Sequence, residues 1–273
     1  MDSVRPTAVA GAFYPGDKII LAASVTSLLA DAAGDSQATS PPKAIIAPHA
    51  GYIYSGPIAA SIYARLAPLR GRIRRVVLIG PAHRVWLRGI ALPDTVAFAS
   101  PLGNVEIDVD AVRAVASLPQ VTVRGDAHAQ EHSLEVQLPF LQSVLGRFRL
   151  VPLVVGNATT AEVAEVLDAL WGGEETLVVV SSDLSHYLDY RSARAADGET
   201  ARAISALEPT LNHEQACGAT AINGLIELAR RRGMKVEQID LRNSGDTAGD
   251  RSRVVGYGAF AFREKDEGAA GHA

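Results

Sequence analysis

Three apolar runs in this chain stop abruptly at residues that can bind metal or move protons. Residues 43–47 run through Pro48 into His49. Residues 75–79 end in Gly80-Pro81-Ala82-His83, and residues 177–180 stop at Ser181-Ser182-Asp183, with His186 just beyond. Such near-continuous apolar runs suit strands buried on both faces. Parallel strands would bring all three ends to one edge, which is where open α/β sheets bind ligands. Any one of these residues alone reads as a surface or capping residue. Three such ends in one chain read as a site, because imidazole suits proton transfer near neutrality and is also the commonest metal ligand.

The only cysteine, Cys217, lies in Gln215-Ala216-Cys217-Gly218, near the start of a helix expected over residues 214–232. A lone cysteine in a helix is commonly a small buried hydrophobe. At a helix N-terminus the thiolate is favoured instead, as nucleophile or metal ligand, and both readings stay open on the residues alone. His213 is the weaker ligand candidate, since it lies ahead of the helix proper. His128-Ala129-Gln130-Glu131-His132 spells H-x-x-E-H, the inverted zinc-peptidase pattern, and zinc hydrolysis at His128 and His132 is a weaker alternative. That chemistry needs both histidines on one helical turn, whereas the apolar period begins only at Leu134, within a helix expected over residues 131–145. His132, at that helix start with its free backbone donors, is a candidate site residue; His128 reads as structural or exposed. Ser181, Ser182, Asp183 and His186 suggest serine catalysis, but the chain has no G-x-S-x-G elbow, no Walker loop and no G-x-G-x-x-G after a strand.

The elements that must position these residues alternate. Helices are expected over residues 18–30, where Ile19, Leu21, Ala22, Val25, Leu28 and Leu29 make one broad apolar face, from Pro57 in a first turn onward, and over 108–117, 160–170 and 190–205. Thr159 or Thr160 is available to cap the fourth of these. Strands are expected at 148–155, 236–241 and 254–262, with strand-and-turn character over 92–106. Gly256-Tyr257-Gly258 reads as a bend or a point of tight packing. Alternation of this kind implies an α/β fold, a mostly parallel central sheet with helices on both faces. One domain over residues 1–262 is expected, followed by a frayed tail at 263–273. Hydrophobic residues make up 48% of the chain and the formal net charge is -4. This is the composition of a folded chain, and its charge weighs against a nucleic-acid footprint, which needs concentrated positive charge. The lone cysteine fits a reducing compartment, and no run reaches membrane-spanning length, so a cytoplasmic protein is expected with no membrane partner.

Six ordered segments carry a resemblance: Arg5-Pro6 with Val9-Ala10-Gly11-Ala12-Phe13-Tyr14-Pro15; Pro48-His49-Ala50-Gly51-Tyr52; Gly80-Pro81-Ala82-His83; Glu131-His132-Ser133-Leu134-Glu135; Ser181-Ser182-Asp183-Leu184-Ser185-His186-Tyr187; and Ala216-Cys217-Gly218. On these the chain resembles the Memo family, also called AmmeMemoRadiSam system protein B, which is similar in fold to the class III extradiol ring-cleavage dioxygenases. The resemblance implies His49, His83 and Cys217 as metal ligands, with His132 and His186 in the same cavity and Asp183 beside His186. It implies Fe(II) chemistry with O2 on an unidentified small molecule, His186 acting as acid–base and Asp183 orienting it or binding substrate. Where the dioxygenases complete their triad with a glutamate, Cys217 stands here, and a softer thiolate also suits copper or zinc. The alternative implied by the resemblance is a binding protein using the same cleft for a peptide or small-molecule ligand, in a pathway with radical-SAM and AMMECR1-like proteins.

Overall fold

A computed structural model describes residues 3–33 and 41–264. Its centre is formed by the three apolar runs that end at the candidate residues. Strand β2 (Ala44–Ala47) lies parallel to β9 (Thr176–Ser181), and β9 lies parallel to β3 (Arg75–Pro81). The register pairs Ala47 with Ser181 and Ile79 with Val180. The carboxyl ends of all three strands therefore open on the same edge. Strand β8 (Arg149–Val155) continues the parallel block beyond β3.

Outside this block the sheet is mixed, which corrects the expectation of a mostly parallel one. Strand β12 (Val254–Arg263) runs antiparallel to β2, to β10 (His186–Leu188) and to the edge strand β11 (Lys235–Asn243). On the far side β4 (Ile90–Leu92) is antiparallel to β8 and parallel to β7 (Val121–Val123). Strand β11 returns directly to β12 without a crossover helix, and such a return pairs antiparallel. A separate small sheet holds β1 (Val4–Arg5), β5 (Ala97–Phe98) and β6 (Val105–Glu106).

Helices cover both faces. Helix α1 (Lys18–Ala32) packs on α2 (Tyr52–Tyr63), which lies against β2 and β12; α6 (Thr160–Ala169) packs on α8 (Ala219–Arg231), which lies against β3 and β9. Thr159 caps α6 in a full capping box with Glu162. Helix α7 (Tyr190–Ser205) begins and ends where its periodicity predicts, while Ile19 of α1, expected on the apolar face, is 79% exposed. Shorter helices are α3 (Val109–Val115), capped by Asp108, α4 (Gly125–Ala129) and α5 (Leu138–Leu145).

Three expected helix starts move, each for a local reason. Helix α2 begins at Tyr52, so Pro57 falls inside it; the carbonyl deprived of a donor belongs to Ile53, a residue on the exposed face. The helix expected from residue 131 starts as a 3-10 turn at Glu135–Gln137, and its α-helical part begins at Leu138. Pro139 lies in that first turn, the one place where a missing N–H costs nothing. Helix α8 begins at Ala219 rather than at 214, because the Asn212 side chain accepts the N–H groups of Glu214 and Gln215 and holds them in a turn. Arg263, assigned to the tail, is the last residue of β12 and pairs with Lys235; residues 265–273 lie outside the described residues.

Candidate metal centre

His49 follows β2, and its ring is 2% exposed. Its Nδ1 lies 2.9 Å from Ser181 Oγ. The Ser181 hydroxyl donates its only proton to Ser133 O at 2.6 Å and accepts Gln137 Nε2 at 2.7 Å. Ser181 can therefore only accept from His49, so Nδ1 carries the ring proton and Nε2 presents a lone pair. His83, beyond β3, is fixed in the same way. The Glu131 carboxylate stands 2.9 Å from its Nδ1 and accepts its backbone N–H at 2.6 Å. Burial alone would raise the Glu131 carboxyl, but the His83 imidazole and the backbone N–H groups of Ser133 and His83 outweigh it and hold it at about 2. An ionised carboxylate only accepts, so His83 also turns a bare Nε2 away from its partner. A histidine whose second nitrogen is held by a carboxylate or hydroxyl is the usual arrangement behind a metal ligand.

Cys217 reaches this point because its neighbour is a glycine. A Cβ on Gly218 would lie 2.7 Å from Ser182 Cβ and 3.0 Å from Ser181 O. Without one, the chain packs onto the end of β9 and donates the Gly218 N–H to Ser182 Oγ at 2.9 Å. Cys217 Sγ then stands 3.3 Å from His49 Nε2, and the donor atoms of His49, His83 and Cys217 all lie within 4.8 Å of one another. The thiol is not lowered by a helix N-terminus as its sequence position suggests. It precedes α8, and burial followed by the Asp183 charge pushes it up to about 12. In the metal-free protein it is a thiol, and binding a metal must displace its proton.

Asp183 Oδ1 accepts the His49 N–H at 2.7 Å, and Oδ2 is 4.0 Å from His49 Nε2. Burial raises its carboxyl above the ordinary range. Asp183 makes no hydrogen bond to His186. That ring is oriented by the Leu184 carbonyl, 2.8 Å from its Nδ1. His186 is exposed and, with His83, Cys217, Asn212 and Leu188, lines an open cavity of about 640 Å³. His132 lies behind His83 and not in the lining of that cavity, stacked on the His83 ring at 4.7 Å and against Phe13 at 4.9 Å, in the turn ahead of the 3-10 segment. Burial and the neighbouring His49 push it down to about 4, and burial pushes His49 itself to about 3.

The remaining candidates take other partners, although His213 lines the same cavity as His83 and Cys217. His128 ends in α4 with Nε2 3.0 Å from Ala91 O and its ring against Phe98, so the H-x-x-E-H string spans a helix end and its two histidines share no turn. His213 ties the Cys217 carbonyl to Thr220 Oγ1 at 3.2 and 3.1 Å. Ser182 donates to Asp183 O and serves the backbone.

Two supports went unread in the sequence. Glu131 enters the sequence reading as part of the peptidase string and of a family segment, with no role of its own. Glu135 is fully buried and accepts from Arg5 at 2.6 Å, from the N–H groups of Ala8 and Val9, and from Tyr14 at 2.6 Å. The signal available was a pair of charged residues, Arg5 and Glu135, embedded in apolar stretches.

The Memo-like protein family model matches residues 5–261. MEMO1 family proteins of Aquifex aeolicus and Aeropyrum pernix are 38% and 36% identical to the chain, over 95% and 94% of it and 99% and 98% of their own lengths. The chain belongs to the Memo family. A further Memo-family relative, from Archaeoglobus fulgidus, is 35% identical over 95% of the chain and 100% of its own length. The crystal structure of the uncharacterized protein JW3007 from Escherichia coli K12 superposes with a TM-score of 0.51 at 15% identity, covering 80% of this chain and 98% of that one. That likeness is one of fold. Among the described residues no helix is long and apolar enough to cross a membrane.

Proposed function

We propose that this Memo-family protein is a non-haem iron-dependent oxidoreductase, dioxygenase-like in fold and chemistry, acting on a small molecule. The observation that carries the reading is the convergence of two oriented imidazole lone pairs and one sulfur within 4.8 Å, at the base of an open cavity with His186 on its wall. Iron(II) held by His49, His83 and Cys217 would supply dioxygen chemistry, in the manner of two-histidine sites that keep positions open. The donor set fits such an ion, since both rings are fixed in the tautomer that leaves Nε2 free. Cys217 takes the place of the glutamate of the class III extradiol dioxygenases, and its sulfur would itself be open to oxidation.

The chain's own residues then divide the work. With Nδ1–H committed to Leu184 O, His186 offers Nε2 to take a proton from a substrate hydroxyl and return it to product. Asp183, raised by burial and set against His49, is placed to share a proton with a substrate group entering beside the thiol. His132, packed between His83 and Phe13, backs the His83 ring. The test is anaerobic loading with Fe(II), followed by O2 uptake against a panel of catechols and small metabolites. Uptake that is lost in His186→Ala with iron retained is expected. Iron-loaded protein that consumes no O2 with any candidate would defeat the reaction class.

A further inference from the structure

Behind the first set of donors lies a second that the proposed reaction does not use. His83, Glu131 and His132 also place one ligand atom each within 4.8 Å of one another. Glu131 Oε1 is 2.9 Å from His83 Nδ1 and 3.3 Å from His132 Nδ1. The carboxylate is 1% exposed and the His132 ring 14%. A hydrogen bond to Glu131 accounts for the His83 nitrogen. It does not account for His132 Nδ1, which is buried and has no hydrogen-bond partner despite its closeness to the carboxylate. A buried nitrogen in that state is costly unless something fills the gap. Around a four-coordinate ion with bonds near 2.1 Å, ligand atoms sit roughly 3.4 Å apart, close to the 2.9 and 3.3 Å between Glu131 Oε1 and the two nitrogens.

We propose that His83 Nδ1, Glu131 and His132 Nδ1 form a second divalent-metal position, joined to the first through the His83 ring. The ion would be of the borderline zinc, cobalt or copper(II) class, to which two imidazoles and a carboxylate are suited. It takes the place of the proton that His83 Nδ1 lends to Glu131. That proton leaves to water, and with both positions filled the ring bridges the two ions as an imidazolate. The second position depends on the first only through His83.

Cobalt(II) separates the two, because only the first position has sulfur and can show thiolate-to-cobalt charge transfer. Metal-free protein titrated anaerobically with Co(II) should bind two equivalents, one with charge transfer and one without. His132→Phe, which keeps an aromatic ring against Phe13, should bind one equivalent with charge transfer intact. Cys217→Ala should bind one equivalent without it. Saturation of the wild type at one equivalent, unchanged in His132→Phe, would overturn the second position, and the wild-type titration alone suffices should the variant misfold. A wild type that binds cobalt with no charge transfer would remove the first position instead, so failure of either is read separately.

Discussion

Two walls of the candidate centre are built on opposite plans. On one side the segment from Glu131 to Gln137 is largely buried and densely hydrogen-bonded, His132 Nδ1 excepted. Glu135 receives four donors from the N-terminal strap, Glu131 fixes His83, and Gln137 bridges Pro48 O, Ser181 Oγ and the Tyr63 hydroxyl. On the other side His186, Tyr187 and Leu188 are exposed, and His186 is oriented by one carbonyl. Tyr187 even takes a left-handed backbone, φ 62. Atoms meant to hold a cation need neighbours with no other options, since a loose ligand loses affinity. A group that must meet a substrate and pass a proton gains from an open approach. On the proposed function, the first wall holds the ion and the second meets the substrate.

The largest effects should come from the ligands themselves. Elemental analysis of anaerobically purified protein should show iron in the wild type and in His213→Ala, and little iron in Cys217→Ala or His49→Ala. Full occupancy in Cys217→Ala would return that residue to the role of a buried hydrophobe. Next in size is Glu135→Gln, which leaves the buried Arg5 guanidinium, 3% exposed, with carbonyl partners but no counter-charge. Loss of one partner from a buried pair costs about 3–5 kcal/mol, measurable by urea unfolding, whereas His186→Gln on the open wall should shift stability by roughly 0.5 kcal/mol or less. Equal losses in the two variants would erase the distinction between the walls.

Acid should act on the same wall. In the metal-free fold His49 is held at about 3 and His128 and His132 at about 4, all depressed chiefly by burial. Below the ordinary histidine pKa of about 6.5 the unfolded chain binds more protons than the folded one. Stability should therefore fall as pH drops from 6.5 toward 4, and the fall should be shallower in His132→Gln. An unfolding midpoint that is flat between pH 7 and 5 would contradict this. Ser181→Ala is subtler. It frees His49 Nδ1 and leaves Gln137 Nε2 only backbone carbonyls such as Pro48 O, and loss of such a support lowers metal affinity by about 10–100-fold, read by competition with a chelator.

The closed wall was also the harder one to read in the sequence. The strand ends carrying His49, His83 and Asp183 were legible because apolar runs of a parallel block stop where polar residues begin. Tyr190–Ser205 was legible because its amphipathic period is uninterrupted. What makes the closed wall rigid is non-local: Glu135 lies 130 positions from Arg5, and Glu131 lies 48 from His83. No window along the chain holds both partners. Gly256 shows the same limit. Its reading as a point of tight packing is met, since a Cβ there would lie 2.1 Å from the Asp197 carboxylate, but nothing nearby in sequence names Asp197. The antiparallel β12 was likewise read as a strand without its direction, which depends on the return path and not on composition.

The smallest effect tests the open wall alone. A bulky residue in the left-handed region costs about 1–2 kcal/mol, and asparagine tolerates that region far better. Tyr187→Asn should therefore relieve strain, but it also removes the ring over which the Arg253 guanidinium lies at 4.7 Å. An exposed contact of that kind contributes about 0.5–1 kcal/mol. The two changes should nearly cancel, leaving the unfolding midpoint of Tyr187→Asn close to that of the wild type. In an Arg253→Ala background there is no such contact left to lose, so the same substitution should stabilise by about 1 kcal/mol. Destabilisation in both backgrounds would mean that Tyr187 is held by packing and not merely tolerated. The segment carrying His186 would then be as firmly built as the wall opposite, and the division of labour between the two would fail.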